Sequence, residues 1–190
     1  MTRLDDTATQ GRKAPVLIDF QNDFLVDGGR MPVARNQVAG VLAAATAAIA
    51  AARGRGDPIV AIGNEFRTSD RLGNLFRRNA SMAGSWGAGW DERLPLNGVQ
   101  YFPKWGGDAF GNPELEPWLR ARDVHELVLA VLFAKACVTA TATGALARGF
   151  AVGVLAAGVA CGGDRSRDQA LARLSRRGVT VLRSEPAFAG

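Results

Sequence analysis

Cysteine is scarce: two residues in a chain of 190, Cys137 and Cys161, which make no disulfide framework. Long apolar runs are missing as well. The longest candidate, the Ala-rich stretch 38–52, reads as too short and too weakly apolar to cross a bilayer. The first residues, MTRLDDTATQGRKA, have no apolar core between a basic start and a cleavage site, which argues against a secretory signal. Residues 1–13 are expected to form a polar leader, and the cytoplasm is the default location. Lysine is rare, represented only by Lys13, Lys104 and Lys135, so the net charge of +5 is carried mostly by arginine. Those arginines are scattered and no recognition motif accompanies them, which points to a solvated surface rather than a nucleic-acid site. Internal repeats and low-complexity linkers are absent. The length then fits one domain, residues 1–190.

What is present is an alternation of short apolar runs and helical segments. Strands are expected at 14–20, 58–62, 99–102, 127–133, 150–156 and 179–182. Helices are expected at 36–53, near 70–78, and at 113–122, 135–148 and 168–177. Residues 68–95, rich in Gly, Arg and Trp, read as a long excursion, the kind of loop that often carries function. The pattern predicts an α/β fold: an open, mostly parallel six-stranded sheet with helices on both faces.

The stretch 127–149 organises this pattern, because a buried strand runs straight into a helix there. Cys137 falls in the helix's first turn, where unpaired N–H groups and the helix dipole favour thiolate. A small buried cysteine that merely fills space fits the position equally well. Asp19 lies at the end of the first strand and Lys104 just after the third. Ligands of open α/β sheets bind outside the carboxyl ends of the strands. Asp19, Lys104 and Cys137 would therefore share one edge. The carboxylate can take the thiol proton, and the ammonium can favour both anions. Asp23 and Asp27 read instead as turn-forming acids.

These residues stand in motifs: Asp19-Phe20-Gln21-Asn22-Asp23-Phe24, Lys104 ahead of Ala109-Phe110, and Cys137-Val138-Thr139-Ala140-Thr141-Ala142. In order and placement they resemble the isochorismatase-like cysteine hydrolases, which include nicotinamidases and N-carbamoylsarcosine, ureidoacrylate and biuret amidohydrolases. The resemblance runs over residues 15–182. It implies that Cys137 attacks a carbonyl carbon, Asp19 shuttles the proton and Lys104 balances charge. It further implies an oxyanion hole built from the backbone N–H groups of Phe133 and Cys137, with a cis peptide between Leu132 and Phe133, and assembly into homo-oligomers. The nicotinamidase branch carries a metal-binding Asp-x-His after the second strand. Here that place holds Asn64-Glu65-Phe66, and the sole histidine, His125, precedes the fourth strand. No metal and no other cofactor is therefore expected. The family's usual serine before Ala-Phe is Asp108 here, and Cys161 stands where small polar residues are usual.

The expected function is hydrolysis of an amide or ureido C–N bond in a small molecule. Phe20, Phe24, Phe66, Trp86 and Trp105 are candidate pocket walls, and Arg67 or Arg71 a candidate for a substrate carboxylate. Two other readings stand beside it: an isochorismatase-type vinyl-ether hydrolase using Asp19 as an acid, and an inactive binding homologue.

Overall fold

The computed structural model describes residues 11–133 and 137–183. Six strands form a single sheet: β1 (Arg12–Ile18), β2 (Val60–Asn64), β3 (Gln100–Lys104), β4 (Val124–Leu132), β5 (Ala151–Ala160) and β6 (Thr180–Leu182). The spatial order is β3-β2-β1-β4-β5-β6, and every neighbouring pair is parallel. Among the described residues six α-helices accompany them: α1 (Asn22–Leu25), α2 (Arg35–Arg55), α3 (Arg71–Phe76), α4 (Leu115–Arg120), α5 (Cys137–Ala147) and α6 (Asp164–Ser175). The expected α/β architecture with an open parallel sheet is what the chain adopts.

Alternation along each central strand builds two cores. Val16, Ile18, Leu129 and Val131 face the layer of α4, α5 and α6, where they meet Leu119, Val138, Ala145 and Leu174. Leu17, Ala130 and Leu132 face the other way, towards Val41, Ala45 and Ile49 of α2. By length and mean hydropathy alone, 21 residues and 1.3, α2 could cross a membrane, so the sequence reading of this stretch as too short needs correction. Val41, Leu42, Ala45, Ala48, Ile49 and Ala52 are buried against the sheet while Arg53 and Arg55 occupy the last turn, the pattern of a core helix.

The strand ends shift in one systematic way. β1 begins at Arg12 rather than Ala14, so the expected polar leader gives two residues to the sheet; residues 1–10 lie outside the described part. β4 likewise starts at Val124, and Lys13 pairs with Glu126 across the two strands at 3.2 Å. Charged residues at a strand's solvent end hide its start in an apolar-run reading. β5 runs to Ala160, four residues beyond the expected end, past a register break opposite β4.

Candidate active site

The C-terminal ends of β1, β2 and β3 meet in a buried polar knot. Ile18 is the last residue of β1, and the next N–H, from Asp19, still bonds to the Ile62 carbonyl of β2 at 2.9 Å. Asp19 then turns left-handed, with φ 66°, a conformation Asp tolerates better than most residues. The turn leaves its side chain at the sheet edge. On β3, Lys104 is the final residue and lies in register with Asn64, the final residue of β2. Lys104 thus belongs to the strand itself rather than to the loop after it, and its carbonyl accepts from the Glu65 amide at 2.9 Å.

Three side chains meet there. Lys104 Nζ lies 3.1 Å from each Asp19 carboxylate oxygen. It also donates to Asn64 Oδ1 at 2.6 Å, and Asn64 Nδ2 donates to Asp19 Oδ1 at 2.8 Å. Asn64 therefore closes a ring of hydrogen bonds around the ion pair. Gln21 holds Asn64 in turn: its Nε2 donates to the Asn64 carbonyl at 2.8 Å and its Oε1 accepts from the Asn64 amide at 2.9 Å. Asp19 is 3% exposed and Lys104 1%. Burial pushes the Asp19 carboxyl above its ordinary range, and Lys104 and Asn64 draw it only part of the way back. A carboxyl so placed is better matched to exchanging protons near neutrality than an exposed one. One asymmetry matters: Asp19 Oδ1 accepts from both Asn64 and Lys104, whereas Oδ2 accepts from Lys104 alone. Oδ2 keeps the freer lone pair.

Cys137 opens α5, the helix that follows β4, and β4 is hydrogen-bonded to β1. The side chain of Cys137 lies outside the described atoms. One turn further, Thr141 binds the helix to the loop after β3: its Oγ1 accepts from the Ala109 amide at 3.0 Å and donates to the Gly107 carbonyl at 3.3 Å. The helix that Cys137 opens and the loop that leaves Lys104 are thereby clamped together. Asp108, which replaces the family's usual serine, accepts from the Phe110 amide at 3.0 Å and caps the 3-10 turn Ala109–Gly111.

Several expectations need correction. Among the described residues no peptide bond is cis, Leu132–Phe133 included. Phe133 is instead left-handed, with φ 51°, and its N–H donates to the Ala160 carbonyl of β5 at 2.8 Å. That N–H is spent on the sheet and is not open to an oxyanion. Phe20 is completely buried in the α2-side core, so it is a packing residue and not the wall of an open pocket. Phe24 is 4% exposed and meets Phe133 edge-on, ring centroids 5.5 Å apart. Trp86 lies away from the knot: with Trp90 it lines a cleft of about 670 Å³ that includes neither Asp19 nor Lys104. That cleft offers two ion pairs and Glu92, whereas the strand ends hold the buried Asp19–Lys104 pair.

Phe66, Arg67 and Trp105 do gather. Phe66 follows β2, and Trp105 follows Lys104 directly. The Arg67 guanidinium sits over the Trp105 ring, 5.5 Å from its centroid, and has no acidic partner among the described residues. Arg77 covers Phe66 at 3.8 Å. Asn64 and Phe66 occupy the two positions that would be metal ligands in an Asp-x-His pair. Among the described residues no three His, Cys, Asp or Glu side chains group as metal ligands, and His125 sits at the opposite end of β4. Asn64 and Gln21 are the functional positions that residue-by-residue reading passed over. A polar residue at a strand end resembles any turn former, and only register shows that Asn64 faces Lys104.

The sequence matches the isochorismatase domain over residues 13–186, most of the chain. The chain belongs to the isochorismatase family. Solved structures agree with this. The N-carbamoylsarcosine amidase of Thermoplasma acidophilum is 28% identical, with a TM-score of 0.77 over 92% of this chain and 97% of that one. A nicotinamidase of Bacillus subtilis is 25% identical, with a TM-score of 0.80 over 90% and 100%. An isochorismatase-like hydrolase of Alkaliphilus metalliredigens is 25% identical, with a TM-score of 0.81 over 90% and 93%. No curated protein matches significantly. As an isochorismatase-family hydrolase, the chain carries its buried Asp19–Lys104 pair at the carboxyl edge of the sheet, where ligands of open α/β folds bind.

Proposed function

We propose that this hydrolase cleaves a C–N bond of a small amide or ureido compound through a covalent intermediate on Cys137. The observation that supports it most is the buried, ring-bonded Asp19–Lys104–Asn64 knot. It holds an acid of raised proton affinity at the end of β1, next to the strand that leads into the cysteine's helix. In this reading Asp19 Oδ2 takes the Cys137 proton as the sulfur attacks the carbonyl carbon. The tetrahedral intermediate collapses, the C–N bond breaks, and Asp19 returns the proton to the departing amine. Water, deprotonated by Asp19, then attacks the thioester and releases the acid and the thiol. Lys104 keeps the pair's charge balanced throughout. With the Phe133 amide committed to Ala160, the oxyanion role falls to the amides of α5's first turn, Cys137's own included, since such amides lack intrahelical partners. Phe66, Trp105 and Arg67 form the rim. Arg67, stacked on an aromatic ring and facing no acid, suits a substrate carboxylate. We place the enzyme in the cytoplasm.

Cys137→Ala is expected to abolish ammonia release from carboxamides screened as substrates, with the circular dichroism spectrum unchanged. Turnover at the wild-type rate by that variant would remove the covalent mechanism. One observation favours a second reading. A carboxyl whose proton affinity is raised by burial could protonate a vinyl ether, the isochorismatase-type reaction. In that case Cys137→Ala would stay active on a vinyl-ether substrate while Asp19→Asn would not.

A further inference from the structure

Tyr101 stands on the edge strand β3, opposite Ala61 of β2. Its hydroxyl donates to Glu65 Oε1 at 2.6 Å. Gly63 leaves room for that hydroxyl: a Cβ there would come 3.2 Å from it and 3.0 Å from Gln21 Nε2. Glu65 is otherwise uncompensated. Among the described residues its Oε2 has no hydrogen-bond partner, and no cation pairs with it. A carboxylate offers about four acceptor positions, and the phenol fills one. The phenol also keeps its proton, since burial and the neighbouring Glu65 both raise its proton affinity. A neutral donor of this kind leaves the charge of a carboxylate unbalanced.

Glu65 opens into a cleft of about 250 Å³, walled by Ala61, Leu96, Val99 and the rings of Trp90 and Tyr101. The two rings meet edge-on, centroids 5.9 Å apart. Among the described residues Glu65 is the only charged residue in the lining. Arg53 reaches the loop that carries Leu96, but it is spent on the Pro95 and Asn97 carbonyls at 2.6 Å each. Drug-sized sites run to about 300–1,000 Å³, so this cleft suits a smaller molecule. Apolar walls, aromatic rings and an unpaired carboxylate together favour a positive head on a short apolar chain. A hard metal ion fits poorly, because it draws several oxygen ligands and the cleft offers one carboxylate and one phenol. We propose that this cleft binds a small organic cation, an alkylammonium, with its head at Glu65 and its chain against Leu96 and Val99. The lining includes neither Asp19 nor Lys104, so the site stands independently of the catalytic reading.

Proton–nitrogen correlation spectra of the full chain test it, because the four tryptophan indole N–H groups report on different places. Trp90 lines this cleft, Trp86 only the larger one, and Trp105 follows Lys104; Trp118 packs on Phe102 and checks the fold. Titration with n-butylammonium chloride at constant ionic strength is expected to shift the Trp90 signal saturably and leave Trp86 and Trp105 in place. The uncharged n-butanol should bind at least about tenfold more weakly, and Glu65→Gln should weaken n-butylammonium by a similar factor. Val99→Phe fills the cleft while sparing the carboxylate, and should abolish the shift. A Trp90 signal that does not respond overturns the proposal. So does an equal response to n-butanol, or one that Glu65→Gln or Val99→Phe leaves unchanged. Trp86 moving together with Trp90 would put the cation in the larger cleft instead. Magnesium chloride matching n-butylammonium would assign the carboxylate to a metal and equally overturn it.

Discussion

Asp19 is held where water scarcely reaches, and its two oxygens are not equivalent. Asn64 donates to Oδ1 and stabilises the charged form, so removing that donor raises the carboxyl's proton affinity further. Asn64→Leu should therefore move the acid limb of the kcat/KM profile to higher pH, with the fold retained. An acid limb that stays in place would make Asn64 a packing residue only. Lys104 gives a stability prediction. Lys104→Met leaves a carboxylate buried with no cation, a loss of about 3–5 kcal/mol near neutral pH. The cost should shrink as pH falls and the carboxyl becomes neutral. Urea unfolding at neutral and acid pH measures this, and a cost independent of pH would contradict it. The same sign holds in the wild type. A carboxyl whose folded pKa lies above its unfolded one contributes stability that is complete below the unfolded value and lost as pH rises through the folded value.

Elements reach the site through two polar clamps. Thr141 joins α5 to the loop after β3, and Thr141→Val removes the acceptor for a buried Ala109 amide. That should cost about 1–3 kcal/mol and increase protease cleavage between Gly106 and Phe110. Unchanged stability and cleavage would show the clamp to be idle. Asp23 clamps the excursion after β2 by accepting from the Ser81 amide at 2.8 Å and the Arg30 amide at 3.0 Å. Gly87 lies hard against it: a Cβ there would come 1.8 Å from Asp23 Oδ2. Gly87→Ala is expected to lower the melting temperature, because the carboxylate must leave at least one of the two amides; an unaltered melting curve would contradict this. The sequence reading of Asp23 as a turn-forming acid thus had the right chemistry at too small a range, since one of its partners is 58 residues away.

At the scale of the molecule, the sheet was legible because each central strand is apolar on both faces, as in 127–133. The strand ends were not, because Lys13 and Glu126 satisfy each other only once β1 and β4 are paired. The Asp19–Lys104 meeting was legible from the rule about strand carboxyl ends. Asn64 was not, because its partner is set by the β2–β3 register. Phe20 was misread as a pocket wall because alternation alone does not say which layer covers a face; here α2 does. The fold thus brings β1 and β3 side chains into one knot and hangs the cysteine's helix from the neighbouring β4.

The central claim is that Cys137 is an activated nucleophile beside that knot. Its alkylation rate by iodoacetamide across pH, read by peptide mass spectrometry with buried Cys161 as the internal comparison, tests it most directly. The account predicts that Cys137 labels fast and titrates below the free-thiol value of about 8.5, and that Lys104→Met moves that titration upward. Labelling of Cys137 no faster than that of Cys161, or a titration at the ordinary thiol value that Lys104→Met leaves in place, would contradict it.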